Sequence, residues 1–225
     1  MARRPRSRRP ARLPAGVSRR AKVVWMSLTA AMTAVGGLLV VADGRPAPRA
    51  DGLALPPLVA AGSPQGIESI FKTRMALDKG RWKAIIIHAS GEPFGSPAAI
   101  EAEHQKLRFR GLGHHFVIGN GAGMDDGELH VGYRWLDQLP GAHAAGPKGD
   151  WYNANAISIC LVGNGDRQTF TKPQIARLES LVSALCRELG IPADKVLLHS
   201  AIAPTSDPGR LFPEALLRQH LADGN

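Results

Sequence analysis

Cysteine is scarce: Cys160 and Cys186 are the only two in 225 residues. That excludes a disulfide-dense scaffold and a cysteine-rich structural metal site. Both lie in apolar patterns, so buried free thiols are expected, with a single bridge between them as the alternative. Acidic residues are missing from residues 1–22, which hold nine of the 28 Lys and Arg. The remainder then carries 19 basic and 19 acidic side chains, so the net charge of +9 and the pI near 10.1 belong to the tail. A nucleic-acid groove on the folded part is not implied. No repeat at solenoid spacing occurs.

The tail, rich in Arg, Pro and Ala, cannot form a core. Residues 23–42 follow, uncharged and mostly apolar. Twenty such residues are long enough to cross a bilayer as a helix. A basic flank before an apolar run keeps the N-terminus in the cytoplasm and sends the rest across. The segment reads as an uncleaved anchor, with a cleaved signal as the alternative at Val40-Val41-Ala42. Residues 43–65, rich in Pro and Ala, read as an extended linker. The folded domain is expected over residues 66–225, on the exported face of the membrane.

Within it, Ile67–Leu77 reads as a short opening helix or turn. Trp82–Ser90 is a strand whose consecutive isoleucines signal burial on both faces. Ser96-Pro97 caps and opens a helix reaching about Arg108. His114–Ile118 is a strand, and strict alternation puts His114, Phe116 and Ile118 on one face and His115 and Val117 on the other. Glu128–Trp135 reads as a strand followed by a long Gly/Ala-rich loop, and Ala156–Val162 as a central strand. Thr171 caps a helix to Leu189 with an apolar stripe at helical spacing, ended by Gly190. A strand from Val196, a two-proline loop carrying Asp207 and a helix from about Pro213 complete the chain. Strands alternating with helices predict an α/β fold with a mixed central sheet and helices packed on it.

The chemistry gathers at strand ends. One buried run ends on His88 and another on His199, and the loop beyond presents Asp207. Two imidazoles and a carboxylate, with a fourth position left for water, make a catalytic zinc site. On spacing alone, ordinary loop-edge residues remain the alternative.

Several pieces now stand in order: Ile-Ile-Ile-His88, Gly-Leu-Gly-His-His-Phe-Val-Ile118, Gly-Ala-His143-Ala, Asn153, Ile-Cys-Leu-Val-Gly-Asn164, the Thr-Lys-Pro-Gln helix start, and His199 with Asp-Pro-Gly209. Over about residues 80–215 this resembles the zinc-dependent type 2 N-acetylmuramoyl-L-alanine amidases, which share a fold with the peptidoglycan recognition proteins. The resemblance implies that His88, His199 and Asp207 bind zinc (Zn2+). It implies that His143 and Asn153 line the substrate groove. The implied reaction cuts the amide between N-acetylmuramic acid and L-alanine in peptidoglycan or its fragments. The alternative is a peptidoglycan-binding or sensing module that does not cut.

The sequence also departs from the family. His114 stands where most members have Tyr, and Thr205 where some have Lys. Cys160 takes the place of a glutamate found in one branch, and Ala201 that of an acid. His114 reads as a proton donor to the leaving amine, with a hydrogen-bonding partner, an extra metal ligand or a crippling substitution as alternatives. Thr205 can give one hydrogen bond to an oxyanion. His104 and His115 read as structural. Trp151 and Tyr152 either pack their loop or stack on sugar.

Overall fold

The computed structural model describes residues 52–55 and 64–223. The basic tail, the apolar segment and linker residues 43–51 and 56–63 lie outside the described residues. Among the described residues no helix is long and apolar enough to cross a membrane.

Among the described residues, six strands make one mixed sheet in the order β1-β4-β3-β5-β2-β6. They are β1 (Gly52–Leu55), β2 (Ala84–Ala89), β3 (Phe116–Ile118), β4 (Leu129–Gly132), β5 (Ala156–Leu161) and β6 (Val196–Leu198). The four strands β3, β5, β2 and β6 run parallel. Strand β4 runs antiparallel to β3 and β1 antiparallel to β4. The helices are α1 (Pro97–Lys106), α2 (Tyr133–Leu136), α3 (Gly149–Asn155), α4 (Lys172–Leu189) and α5 (Glu214–Asp223).

The sheet has one thick face and one thin face. Ile85, Ile87, Phe116, Ile118, Ile157 and Ile159 project from one side into a large core with Leu178, Leu181, Val182 and Leu185 of α4. Burying each such side chain stabilises the fold by about 1.5–3 kcal/mol. The other side carries smaller clusters around Val117 and Cys160 and around Ile86. That thin face leaves room for polar groups.

Helix α4 starts as its sequence predicts. The Thr171 hydroxyl accepts from the Gln174 N–H, and the Gln174 side chain accepts from the Thr171 N–H. The Gln174 amide also donates to Ile118 O and Val162 O, stitching the helix to two strand ends. Gly190 ends the helix at φ +66°, a left-handed conformation that suits glycine. Cys160 and Cys186 are both free thiols. The sheet separates them, since Cys186 packs on the thick-face core and Cys160 lies in the thin-face cluster.

Four expectations are corrected. Within the stretch read as linker, Gly52–Leu55 forms an edge strand on β4. The run read as a strand through Trp135 ends at Gly132 and turns into α2. The turn brings buried Arg134 onto the carbonyls of Arg110, Leu112 and Pro140, which satisfy a guanidinium that a continued strand would strand in apolar surroundings. The Gly/Ala-rich loop contains α3. Last, His114 does not share a face with Phe116 and Ile118. The strand begins only at Phe116, and the preceding turn delivers His114 to the thin face beside Ser158.

Candidate metal centre

Topology brings His88 and His199 together. Strands β2 and β6 are parallel neighbours in the register Ile87↔Leu198, so the next residue on each is a histidine. Ile87 and Leu198 face the thick core, so by alternation the two histidines turn to the thin face. Both sit at carboxyl ends of parallel strands, where open α/β sheets place their ligands. Asp207 arrives on the loop after a short 3-10 turn. Its backbone carbonyl accepts from the Ser200 N–H at 2.8 Å. Gly209, at φ +107°, lies so close to the Gly165 backbone that a Cβ would overlap it at 2.2 Å. That close approach holds the loop against the end of β5.

The Asp207 Oδ2 lies 3.1 Å from His88 Nδ1 and 2.8 Å from His199 Nδ1. The other oxygen, Oδ1, accepts from the Ala89 N–H at 2.6 Å. One carboxylate oxygen is thereby committed to the backbone and the other is left for the centre. Burial works to raise the Asp207 pKa, but hydrogen bonds from His199, His88 and Ala89 outweigh it and bring it to about 2. Burial lowers the His88 pKa despite the opposing carboxylate. Its contact with Asp207 is therefore a hydrogen bond of a neutral ring, although the distance alone would admit an ion pair.

These three residues offer two imidazole nitrogens and one carboxylate oxygen, all within 4.8 Å of one another. The donor set fits a divalent first-row cation such as zinc. So does the surrounding shell: His88 Nε2 meets His143 Nδ1 at 3.2 Å, the outer contact that orients a metal-binding imidazole.

The remaining predicted residues fall in different places. His143 touches His88 directly and is partly buried; burial first, then His88 and His115, push its pKa well down. Asn153 spends its amide on the loop that carries His143. Its oxygen accepts from the His143 and Ala144 N–H groups and its nitrogen donates to Ala144 O. It bears on the groove by holding that loop. The Thr205 hydroxyl accepts from the Asp207 N–H at 3.2 Å. It faces a cavity of about 220 Å³ beyond Asp207 that none of the histidines lines. Trp151 is exposed and packs edge-on against Tyr152, and neither ring lines the cleft.

His114 lies on the cleft side, its ring centroid 5.0 Å from that of His88. Burial and four neighbouring imidazoles, His88, His104, His143 and His115, push its pKa well below the ordinary value. Two cavities, of about 620 and 230 Å³, share Ala89, His104, Leu107 and His114 in their walls. They form one cleft that passes over the centre. His115 points elsewhere, packing edge-on against Trp82 and donating from Nε2 to Leu139 O.

Two contributors escape a reading of the sequence by pattern. His104 lines both cavities, although its position on a helix suggested a structural role. Its Nδ1 accepts from the Gly113 N–H, a contact across nine residues that no periodicity encodes. Ser158, wholly buried, meets His114 Nδ1 at 2.6 Å. Its signal was present: Ser158 is the one hydroxyl in the apolar run of β5.

The family model described as N-acetylmuramoyl-L-alanine amidase, Amidase_2, matches residues 78–210. The endolysin of Enterobacteria phage T3 is 30% identical over 135 residues, covering 56% of this chain and 80% of that protein. An endolysin N-acetylmuramoyl-L-alanine amidase from Clostridium intestinale is 24% identical with a TM-score of 0.54, covering 67% of this chain and 90% of that one. Human PGRP-IBETAC, solved with glycosamyl muramyl pentapeptide, is 19% identical with a TM-score of 0.50, covering 64% and 85%. At those identities the two solved structures speak for the fold alone. The model match spans strands β2 to β6, the cleft and all three residues of the candidate metal centre, and the chain belongs to the type 2 N-acetylmuramoyl-L-alanine amidase family.

Proposed function

We propose that this chain is a zinc-dependent hydrolase of the amide between N-acetylmuramic acid and L-alanine, acting on peptidoglycan or its fragments. The observation that carries the reading is the convergence of His88 Nδ1, His199 Nδ1 and Asp207 Oδ2 beside a continuous cleft. Retention of this whole donor set favours a cutting enzyme over a module that only binds. Zinc held by these atoms supplies Lewis acidity, which activates water near neutral pH and polarises a carbonyl.

The chain's own residues prepare that chemistry. Neutral His88 and ionised Asp207 are in the protonation states that metal binding needs. If both Nδ1 atoms held the metal, the His88 proton would sit on Nε2, facing His143 Nδ1. Asn153 holds His143 in reach, and Thr205 braces the Asp207 loop from its far side. His114 stands in the cleft wall next to the reacting centre. Muramyl peptide suits the cleft, whose two parts are both lined by His114.

The substrate also suits the chain's N-terminal part. A basic tail followed by a span-length apolar segment supports anchoring in the membrane, with the amidase domain on the exported face beside the wall.

The test uses the zinc-loaded full chain, a muramyl peptide and mass spectrometry. The expected product is an intact stem peptide with a free L-alanine amine, lost on chelation. Stoichiometric zinc without any release would instead identify a peptidoglycan-binding module.

A further inference from the structure

We propose that Ser158 is a positioning residue. Its hydroxyl donates to His114 Nδ1, fixes the imidazole proton on Nε2, and makes His114 a hydrogen-bond donor to the cleft. That the acceptor is an oxygen of the amide being cut rests on the amidase reading; the position of the proton does not.

The argument starts from the Ser158 hydroxyl. Ser158 is completely buried in the middle of β5. Its backbone is fully used by its neighbour: Ser158 N–H donates to His115 Nδ1, and Ser158 O accepts from the His115 N–H. The hydroxyl has one partner among the described residues, His114 Nδ1 at 2.6 Å. A buried O–H must find an acceptor. A ring nitrogen accepts only if it carries no proton, so Nδ1 is bare and the neutral ring holds its hydrogen on Nε2.

The rest of the pocket agrees. His114 is 7% exposed and lines both parts of the cleft. The rings of His88, His104 and His143 stand 5.0, 5.1 and 6.4 Å away by centroid. Among the described residues no carboxylate bonds to His114, so nothing there stabilises an imidazolium. The leftover atom, Nε2, has no protein partner among the described residues and remains free for a ligand.

This placement decides between roles. A ring bearing N–H on its cleft side has no lone pair there and cannot take a proton from water or amine. It can hold a carbonyl or its oxyanion by a hydrogen bond aimed in advance. The neighbouring pair His115–Ser158 shows the same logic in reverse: there the serine backbone N–H demands a bare Nδ1, and the His115 proton goes to Leu139 O from Nε2. One residue of β5 thus sets the tautomer of two successive histidines.

The first arm of the test reads the proton directly. A 15N–1H correlation spectrum of the 15N-labelled, zinc-loaded full chain distinguishes the two nitrogens of each ring, with His114→Gln for assignment. Protonated Nε2 on His114 supports the proposal, and protonated Nδ1 overturns it. The second arm is kinetic. Ser158→Ala should lower kcat roughly five- to tenfold, the loss of one aligned neutral hydrogen bond, with KM within about twofold. A phenol carries its own O–H and has no tautomer to fix. In a His114→Tyr background, Ser158→Ala should therefore leave kcat unchanged. An equal loss in both backgrounds would reduce Ser158 to packing and overturn the proposal. If wild type turns over no muramyl peptide, the amidase reading fails, and the spectrum still decides where the proton lies.

Discussion

The imidazole of His115 is held neutral by what surrounds it. Its Nδ1 accepts from the Ser158 N–H and its Nε2 donates to Leu139 O, so a second proton would face an N–H head-on. Burial, partly offset by the Leu139 bond and reinforced by Arg134 and Arg81, takes its pKa to about 3. The unfolded ring titrates near 6.5. The folded pKa is depressed, so this contribution to stability is fully present above pH 6.5 and is lost as pH falls towards 3. At pH 5 it amounts to a loss of about 2 kcal/mol. The metal-free chain should lose stability on acidification, and His115→Gln should lower the slope by one proton. Urea titrations at pH 6.5 and 5 measure this, and an equal fall in unfolding free energy for wild type and His115→Gln would contradict it. A second expectation concerns His143, which meets His88 Nε2. Its replacement by Ala removes the outer contact of a ligand and should weaken zinc binding about 10- to 100-fold. Competition with a chromophoric chelator measures that directly.

At the scale of elements, the two ends of the centre respond differently to substitution. Helix α4 serves the thick core, and its cap is remote from the cleft. Thr171→Ala removes one side of the capping box and should cost about 1 kcal/mol. Zinc affinity should stay unchanged. The Asp207 loop has no such independence. Gly209 sits at φ +107° against the Gly165 backbone, where a methyl group has no space. Gly209→Ala should displace the loop and cut zinc affinity by at least about tenfold, the scale of a disturbed outer contact. Calorimetry on both variants separates the effects: T171A should shift Tm alone, and G209A should shift metal binding as well. Unaltered zinc binding in G209A would mean that the loop tolerates the displacement.

For the whole molecule, a metal that binds only the folded chain stabilises it by mass action. A hundredfold excess of free zinc over Kd is worth about 2.7 kcal/mol. Chelation should therefore lower the Tm of the loaded protein. Reductant should leave Tm where it is, because Cys160 and Cys186 are free and lie on opposite sides of the sheet. A Tm that falls with reductant would reveal a bond between thiols that the fold keeps apart.

What was legible in the chain was what repeats along it. The stripe of α4, its Thr171 cap and Gly190 stop, and the buried run before His88 are local patterns, and each forms as read; the run before His199 forms a strand too, but at the sheet edge, with only Val196 buried. The order of motifs brought His88, His199 and Asp207 to attention together. Patterns of period two or 3.6 say which way a side chain points only while the element continues. His114 precedes the first strand residue, so alternation assigned it the wrong face. Arg134 turned its segment helical to reach carbonyls as many as 24 residues away in sequence. Ser158 meets His114 across 44 residues, and Asn153 grips a loop nine and ten residues back. Such contacts are made by packing, which joins residues that no short-range pattern connects. The three residues of the candidate centre could thus be picked out along the chain, but the orientation of the groups around them was decided by the assembled sheet.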